Sequence, residues 1–319
     1  MSQTQQTLPI ASPVAVAGPH QALIERFDIA GGSVIGHEHR RLGRNNQDAM
    51  AWYADAGVIV AVVADGCGSS RHSEVGARLG ARLMVAALAR LVGAGGLDAG
   101  ISNASQTASE VAAGQGTDSA GAAVALVTQA RDEVLGHLRG LARVMAGSLA
   151  QTVSDYFLFT LVGAAMTPAR CLVFSMGDGV IVVNGAAIPL GPFPGNQPPY
   201  PAYALLDGDA VDAPAAPRVH ALMPTAALDS LVLATDGAEE LVAHPDHALP
   251  GSDERAGPLH QFCDPRYHRN PDAIRRRLWL MNRDHVVADW DRRRIRRARA
   301  VLADDTTLIS IRRTSGRSA

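Results

Sequence analysis

The sequence predicts an α+β fold in which packed sheets are covered by helices, and three observations point to it. Short extended runs outnumber helical ones along the chain. They come in blocks, strands then helices, many strands, then helices and a last strand, which suits layered sheets better than a repeating βαβ unit. Residues 58–63 (VIVAVV) form a continuous apolar run of the kind found in a strand buried on both faces. With 319 residues, somewhat less than half of them apolar, the chain is long enough to bury a full core.

The elements follow in order. Residues 1–22 are polar and then Ala/Pro-rich without periodicity, so they are expected to be a disordered or loosely docked leader, with order beginning near Ile24. Residues 27–35 look extended, and the run 58–63 stops at Asp65-Gly66. Val75, Leu79 and Leu83 recur at helical spacing and predict an amphipathic helix over about 73–91. The Gly/Ala stretch 93–116 reads as a loop or weakly ordered insertion. A second helix is predicted by Val134, Leu138, Leu141, Val144, Met145 and Leu149, which share one face. Extended runs at 157–166, 171–176, 180–183 and 231–235 are separated by turn signals. The segment 191–201 (GPFPGNQPPYP) is too proline-rich for a central strand and reads as a surface loop. Its neighbourhood 197–203 is preferred as surface over a flap beside the site. Residues 272–300 are arginine-laden and expected to be helical, and 307–311 supply the last strand.

Composition removes several functions. The formal charge is only -2, so neither nucleic acid nor a membrane surface is demanded as partner. The chain has no lysine, and all 29 of its basic side chains are arginine. A Walker phosphate loop, a kinase nucleotide site and a pyridoxal Schiff base each need a lysine amine and are excluded. Any phosphate must be handled by arginine or by metal. Cys67, Cys171 and Cys263 form no CxxC pair, which argues against a disulfide framework or zinc ribbon and for a reducing cytoplasm. No signal peptide or membrane span is recognisable, so a cytoplasmic protein is expected.

The informative feature is where the aspartates fall. Asp65, Asp178 and Asp236 each stand just beyond an apolar extended run and each precedes a glycine (VVAD-G, FSMGD-G, LATD-G). One Asp-Gly after a strand is a turn signal. Three of them, with Asp48 and the pair Asp304-Asp305, suggest strand ends converging on one edge, where carboxylates repel unless cations are bound. Oxygen donors alone suit Mg²⁺ or Mn²⁺ rather than zinc. Two such ions about 4 Å apart can clamp a phosphoryl group and turn a bridging water into a hydroxide nucleophile.

These residues also carry a family resemblance. Gly36-His37-Glu38-His39 through Gly43-Arg44-Asn45-Asn46-Gln47-Asp48-Ala49 resembles the opening motif of a compact bacterial branch of the metal-dependent type-2C protein serine/threonine phosphatases. Ala64-Asp65-Gly66-Cys67-Gly68-Ser69, Met176-Gly177-Asp178-Gly179, Leu233-Ala234-Thr235-Asp236-Gly237 and Asp304-Asp305-Thr306-Thr307 resemble its later motifs, all in the family's order over roughly residues 31–313. The resemblance implies a single domain over 23–313, with 314–319 as a tail, folded as a four-layer αββα sandwich of two antiparallel sheets. It implies hydrolysis of phosphoserine or phosphothreonine in a phosphorylated protein, by direct attack of a metal-bridging hydroxide, and a cognate Ser/Thr kinase as counterpart. Asp65 would bridge two metals, Mn²⁺ or Mg²⁺. The Gly66 carbonyl would bind one, Asp236 and Asp304 the other, and Asp178 a possible third, while Asp48 would hold metal water. Two positions depart from the pattern. Gln47 replaces a frequent glutamate but can still orient water as a neutral acceptor, and Gly43 stands where the family's phosphate-gripping arginine belongs. Arg44 is the first choice to replace it, ahead of Arg41 and Arg40. These departures support an alternative, a catalytically weak type-2C-like module that binds a phosphoprotein or regulatory partner.

Other conspicuous residues weigh less. Cys67 lacks the C-x5-R loop of a cysteine phosphatase, since only three residues separate it from Arg71, and reads as a small semi-buried thiol. His37 and His39 would share a face of an extended chain as HxH ligands do, yet no HExxH or second histidine pair accompanies them, and a backbone hydrogen bond for His39 is the blander reading. His72 is a candidate proton donor to the leaving alkoxide. The runs Arg275-Arg276-Arg277 and Arg292-Arg293-Arg294 invite a nucleic-acid reading, but interleaved aspartates and only Trp279 and Trp290 as aromatics favour a solvated helix face.

Overall fold

The computed structural model describes residues 22–99, 116–206 and 216–314. The leader expected over 1–22 lies outside the described residues except for Ala22, as do residues 100–115 of the Gly/Ala stretch and 315–319 of the tail. A short helix α1 (Leu23–Arg26) leads into β1 (Phe27–Val34), and a second, α2 (His37–Leu42), precedes β2 (Ala49–Ala54) and β3 (Ile59–Gly66). Helices α3 (Ser73–Gly93), α4 (Gly116–Ala142) and the single turn α5 (Leu149–Thr152) follow. Next come β4 (Phe159–Met166), β5 (Arg170–Met176), β6 (Val180–Val183), β7 (Ala186–Pro189), β8 (Arg218–Pro224) and β9 (Ser230–Ala234). The chain continues through α6 (Glu239–Ala243) and α7 (Ala273–Met281), the strands β10 (His285–Asp289) and β11 (Arg294–Ala298), and β12 (Thr306–Arg313).

The apolar run of β3 shows how the layers arise. Successive side chains of a strand point to opposite faces. Val60, Val62 and Ala64 therefore pack with Ala77, Met84 and Leu88 of α3 and with Val127 and Leu138 of α4. Ile59, Ala61 and Val63 pack the other way, against Ile181, Leu231, Leu233, Ile309 and Ile311 of the second sheet. Each side chain as large as valine contributes about 1.5–3 kcal/mol on full burial, so a strand apolar on both faces is what joins helix layer to sheet and sheet to sheet. The two five-stranded antiparallel sheets have the orders β2-β3-β4-β5-β8 and β1-β12-β9-β6-β7. On the far side of the second sheet, Ile274, Leu278 and Met281 of α7 pack with Val180, Val232 and Leu308. The result is the four-layer αββα sandwich. No helix among the described residues is long and apolar enough to cross a membrane, and all three cysteines are free.

Several expectations need correction. The second long helix starts at Gly116 and stops at Ala142, so Val144, Met145 and Leu149 are not on its face. Gly147 at φ 111° and the Ser148 cap, whose side chain accepts the Gln151 N–H, restart the chain as α5, and Val144 is left 82% exposed. Residues 272–300 are not one helix. α7 ends at Met281, and β-branched Val286-Val287 then pairs with Arg296-Arg297 in a separate antiparallel hairpin. Its turn is closed by Asp289, whose carboxylate accepts the Arg292 N–H at 3.1 Å. Strands β2, β7 and β8 carried no clear alternation and were outside the expected set. Residues 191–205 contain short 3₁₀ turns; Pro192, Pro194, Gly195 and Gln197 lie on the surface as expected, whereas from Pro198 on the segment folds inward and buries Tyr200, Ala202 and Leu205.

Candidate metal centre

The antiparallel registers bring one end of several strands to a single edge. In the first sheet β3 finishes at Asp65-Gly66 beside the start of β2 (Ala49↔Ala64) and the start of β4 (Asp65↔Thr160), and the end of β5 pairs with β4 at Leu161↔Met176. Asp48 stands one residue before β2 and Asp178 two after β5. In the second sheet β9 ends at Ala234, paired with Leu308 of β12 and Val180 of β6. Asp236 follows that end, and Asp304-Asp305 precede the start of β12. Asp48, Asp65, Asp178, Asp236 and Asp304 thus meet, as expected from the sequence, at the seam between sheets.

Hydrogen bonds fix the surroundings. Asp48 is buried, and its Oδ2 accepts the Thr235 hydroxyl at 2.8 Å, while the Thr307 N–H donates to Thr235 Oγ1 at 3.0 Å. Its backbone N–H is held by Asn46 Oδ1 at 3.0 Å. Gln47 donates from Nε2 to Ser73 Oγ at 2.8 Å, which leaves Oε1 buried without a partner. Asp48 Oδ1 and Asp178 Oδ1 are likewise buried and unpartnered. Asp305, which was not among the expected ligands, organises the approach of three segments. Its Oδ1 accepts the Gly36 N–H and its Oδ2 the Gln47 N–H, both at 2.6 Å, and His39 Nδ1 lies 3.0 Å from Oδ2. The Asp304-Asp305 backbone passes so near Gly237 that a Cβ there would collide with the Asp305 carbonyl oxygen, which explains the glycine after Asp236.

Electrostatics single out the same residues. Burial, then the neighbouring Asp236, Asp48, Asp178 and Asp304, push the Asp65 carboxyl well above its ordinary value. Asp48 is raised likewise by burial and by Asp305, and Asp178 by burial and Asp304. Asp236 is pushed up to about 7 by burial, Asp178 and Asp304. No arginine forms an ion pair with any of these carboxylates among the described residues. Acidic groups gathered without an arginine counterion, several with buried free lone pairs and only Asp304 of them near a histidine, His39, are matched by hard divalent cations.

The remaining candidates sort clearly. Arg44 is exposed and donates from Nη1 to the Gly68 carbonyl, which places it over the loop that follows Gly66. Arg40 instead reaches the Asn282 carbonyl at 3.0 Å. Gly43 caps α2 in the left-handed region (φ 68°), a conformation unfavourable to arginine, which accounts for the departure at that position. His37 and His39 lie on helix α2, not on an extended chain, so their rings diverge: His37 Nδ1 is 3.1 Å from the Leu302 carbonyl, whereas His39 joins Asp304 and Asp305. One donor atom from each of those three lies within 4.8 Å of the others. The Asp305 carboxylate raises His39 above its usual value. Sequence reading missed this pairing, and the signal available was the doubled Asp304-Asp305. His72 stacks on Tyr156, with centroids 5.1 Å apart, and touches none of the clustered carboxylates. Cys67 is partly buried with Sγ 3.1 Å from Ser69 Oγ, and the Tyr200 hydroxyl bonds to it, so the 191–205 segment does lie beside this edge.

No curated protein matches this sequence. Solved structures do. A serine-threonine phosphatase 2C from Toxoplasma gondii is similar with a TM-score of 0.52 at 15% identity, over 91% of this chain and 95% of that one, which shows the shared fold. The Mycobacterium tuberculosis serine/threonine phosphatase PstP/Ppp matches at 15% identity and TM-score 0.44, over 90% and 98% of the two chains. PppA, a regulatory component of the T6SS in Pseudomonas aeruginosa, matches at 18% identity and TM-score 0.42, over 91% and 98%. The family model described as protein phosphatase 2C matches residues 35–276, more than half of the sequence, and the chain therefore belongs to the protein phosphatase 2C family.

Proposed function

We propose that the chain is a metal-dependent phosphoprotein phosphatase acting on phosphoserine or phosphothreonine, with one catalytic domain over residues 23–313, in the cytoplasm. The observation that carries this reading is the convergence of Asp48, Asp65, Asp178 and Asp236, their carboxyls raised and without an arginine partner among the described residues, with Asp304, which faces His39 Nδ1 at 3.6 Å. The all-oxygen donor set and the buried free lone pairs fit Mn²⁺ or Mg²⁺. Asp65, the Gly66 carbonyl, Asp236 and Asp304 would hold two ions, and Asp178 a third. Such ions supply Lewis acidity toward the phosphoryl oxygens and a nucleophilic water at neutral pH.

The chain's own residues do the rest. Gln47, its amide nitrogen committed to Ser73, offers Oε1 as an acceptor that orients water, and Asp48 Oδ1 offers a second. Arg44, anchored on Gly68, has further N–H groups to hold phosphoryl oxygens. Thr235 keeps Asp48 turned toward the cluster. The counterpart would be a Ser/Thr kinase acting on the same protein. The departures at Gly43 and Gln47 favour a second reading, a weak phosphoprotein-binding module. Hydrolysis of a phosphopeptide with added Mn²⁺, abolished by chelation and restored by the ion, supports the enzyme; binding without turnover supports the module.

A further inference from the structure

Helix α2 has a second use. On one side His39 meets the carboxylates, while His37, Arg40 and Arg41 line a cavity of about 220 Å³ completed by Asp284, Arg297 and Arg299 around the β10–β11 hairpin. Four guanidinium groups face one carboxylate. Arg40 gives a donor to the Asn282 backbone carbonyl, and Asp284 already accepts the Ala300 N–H at 3.1 Å. None of the four arginines forms an ion pair with a carboxylate among the described residues. His37 Nε2 is buried without a partner. All four arginines are exposed, so their charges are open to an anion from solvent, and guanidinium forks suit phosphate and carboxylate oxygens.

The distance from the metal-centre candidates limits what that anion is. A six-residue helix is about 9 Å long and about 10–12 Å across with its side chains, so the cavity and the carboxylate edge, reached by side chains on different sides of α2, are on the order of 10 Å apart. An extended peptide advances about 3.3 Å per residue. A side chain about three residues from a phosphoresidue held at the carboxylate edge therefore reaches the cavity. A nucleic-acid strand fits less well: Arg294 is paired with Asp289 and Trp279 is covered by Arg283, which leaves the exposed Trp290 of the hairpin without a row of further aromatics on which bases could stack.

We propose that this cavity is a second anion subsite, which holds a phosphate or carboxylate side chain about three residues from the phosphoresidue under attack and so selects protein segments with clustered negative charge. The proposal rests on the phosphatase reading for its first anchor. Its test uses the full chain loaded with Mn²⁺ and phosphoserine peptides carrying alanine, aspartate or a second phosphoserine three residues to either side, with an aryl phosphate as the small substrate. The two anionic peptides are expected to show a KM about tenfold below that of the alanine peptide, and the order between them tells which oxyanion is preferred. Arg297→Ala with Arg299→Ala removes the difference while turnover of the aryl phosphate and of the alanine peptide stays as in the wild type. Charge reversal, Arg297→Glu with Arg299→Glu, turns the preference toward a lysine-bearing peptide, and the melting temperature verifies that both variants are folded. Fluorescence anisotropy of the anionic peptides separates this idea from the activity. If no substrate is hydrolysed, the phosphatase reading fails, but tighter binding of anionic peptides that depends on Arg297 and Arg299 still upholds the cavity. Equal binding and equal KM for all peptides overturns the subsite. So does loss of RNA or DNA retention in the arginine variants with no change toward peptides.

Discussion

Asp236→Asn removes one charge from the carboxylate edge and keeps the side chain's size. In the metal-free protein, burial, Asp178 and Asp304 lift this carboxyl from 3.8 to about 7. At pH 8 it is ionised in both folded and unfolded chains, so the lift measures what the charge costs the fold. At about 1.4 kcal/mol per tenfold change this comes to about 4 kcal/mol, and screening on the open side of the cluster reduces it to about 2 kcal/mol. The metal-free variant is therefore expected to melt about 4 °C higher than the wild type at pH 8. With Mn²⁺ the order reverses. A neutral amide oxygen is a weaker ligand for a divalent cation than a carboxylate, so binding weakens, the rise in melting temperature given by the ion shrinks, and phosphopeptide turnover falls about a hundredfold or more. Thermal melts of both proteins with and without Mn²⁺, run beside the activity assay, decide the matter. Wild-type turnover together with a wild-type metal-induced rise would remove Asp236 from the site, and a metal-free variant that melts lower would refute the charge argument.

Exhaustive chelation should abolish hydrolysis of an aryl phosphate, with Mn²⁺ or Mg²⁺ restoring it; activity that survives dialysis against EDTA contradicts the donor set. Without metal, the melting temperature should fall as pH rises from about 4 to about 7. The folded state holds protons on Asp48, Asp65, Asp178 and Asp236 that the unfolded chain releases above 3.8, and this stability is lost as pH passes the raised folded values. His39, raised by Asp305, acts with the same sign above 6.5, and Mn²⁺ should flatten the curve. Arg44→Ala should raise KM for a phosphopeptide without a second acidic group more than Arg41→Ala does, measured in steady state; equal and negligible effects would mean that arginine does not grip the phosphate under attack. Gly237→Ala sets a Cβ against the Asp305 carbonyl and should cost about 1–3 kcal/mol in the melt while weakening Mn²⁺ binding.

What could be read from residues alone followed burial and periodicity. The 58–63 run announced a strand packed on both faces, and the three Asp-Gly pairs announced a common edge, because both are local patterns with one dominant physical cause. The 272–300 segment misled because arginines suit a helix as well as a strand, and only the Val286-Val287 pair and the Asp289 turn decide between them. Asp305 escaped because its role is set by Gly36, His39 and Gln47, more than 250 positions away, and nothing in its immediate neighbours distinguishes it from Asp304. Gly43 shows the reverse case. Its place in the sequence looked like a lost arginine, whereas the backbone there requires φ 68° to close α2.

The strand β12 lies between β1 and β9, and among the described residues β1 has no other ladder partner. Val34 therefore waits for Thr306, about 270 residues later, which at about 5–20 residues per second is about 14 s or more of synthesis. Throughout that time β1 presents an open edge, and β9, which ends at Ala234, presents one for the remainder, a standing invitation to neighbouring chains. β1 is poorly suited to accept it, since Asp28 and the Gly31-Gly32 pair weaken its tendency to template another strand. Asp304 and Asp305 reach the seam only when β12 docks. A half-made chain thus cannot assemble the carboxylate edge, and the same event that closes the sheet brings the last acidic side chains into place.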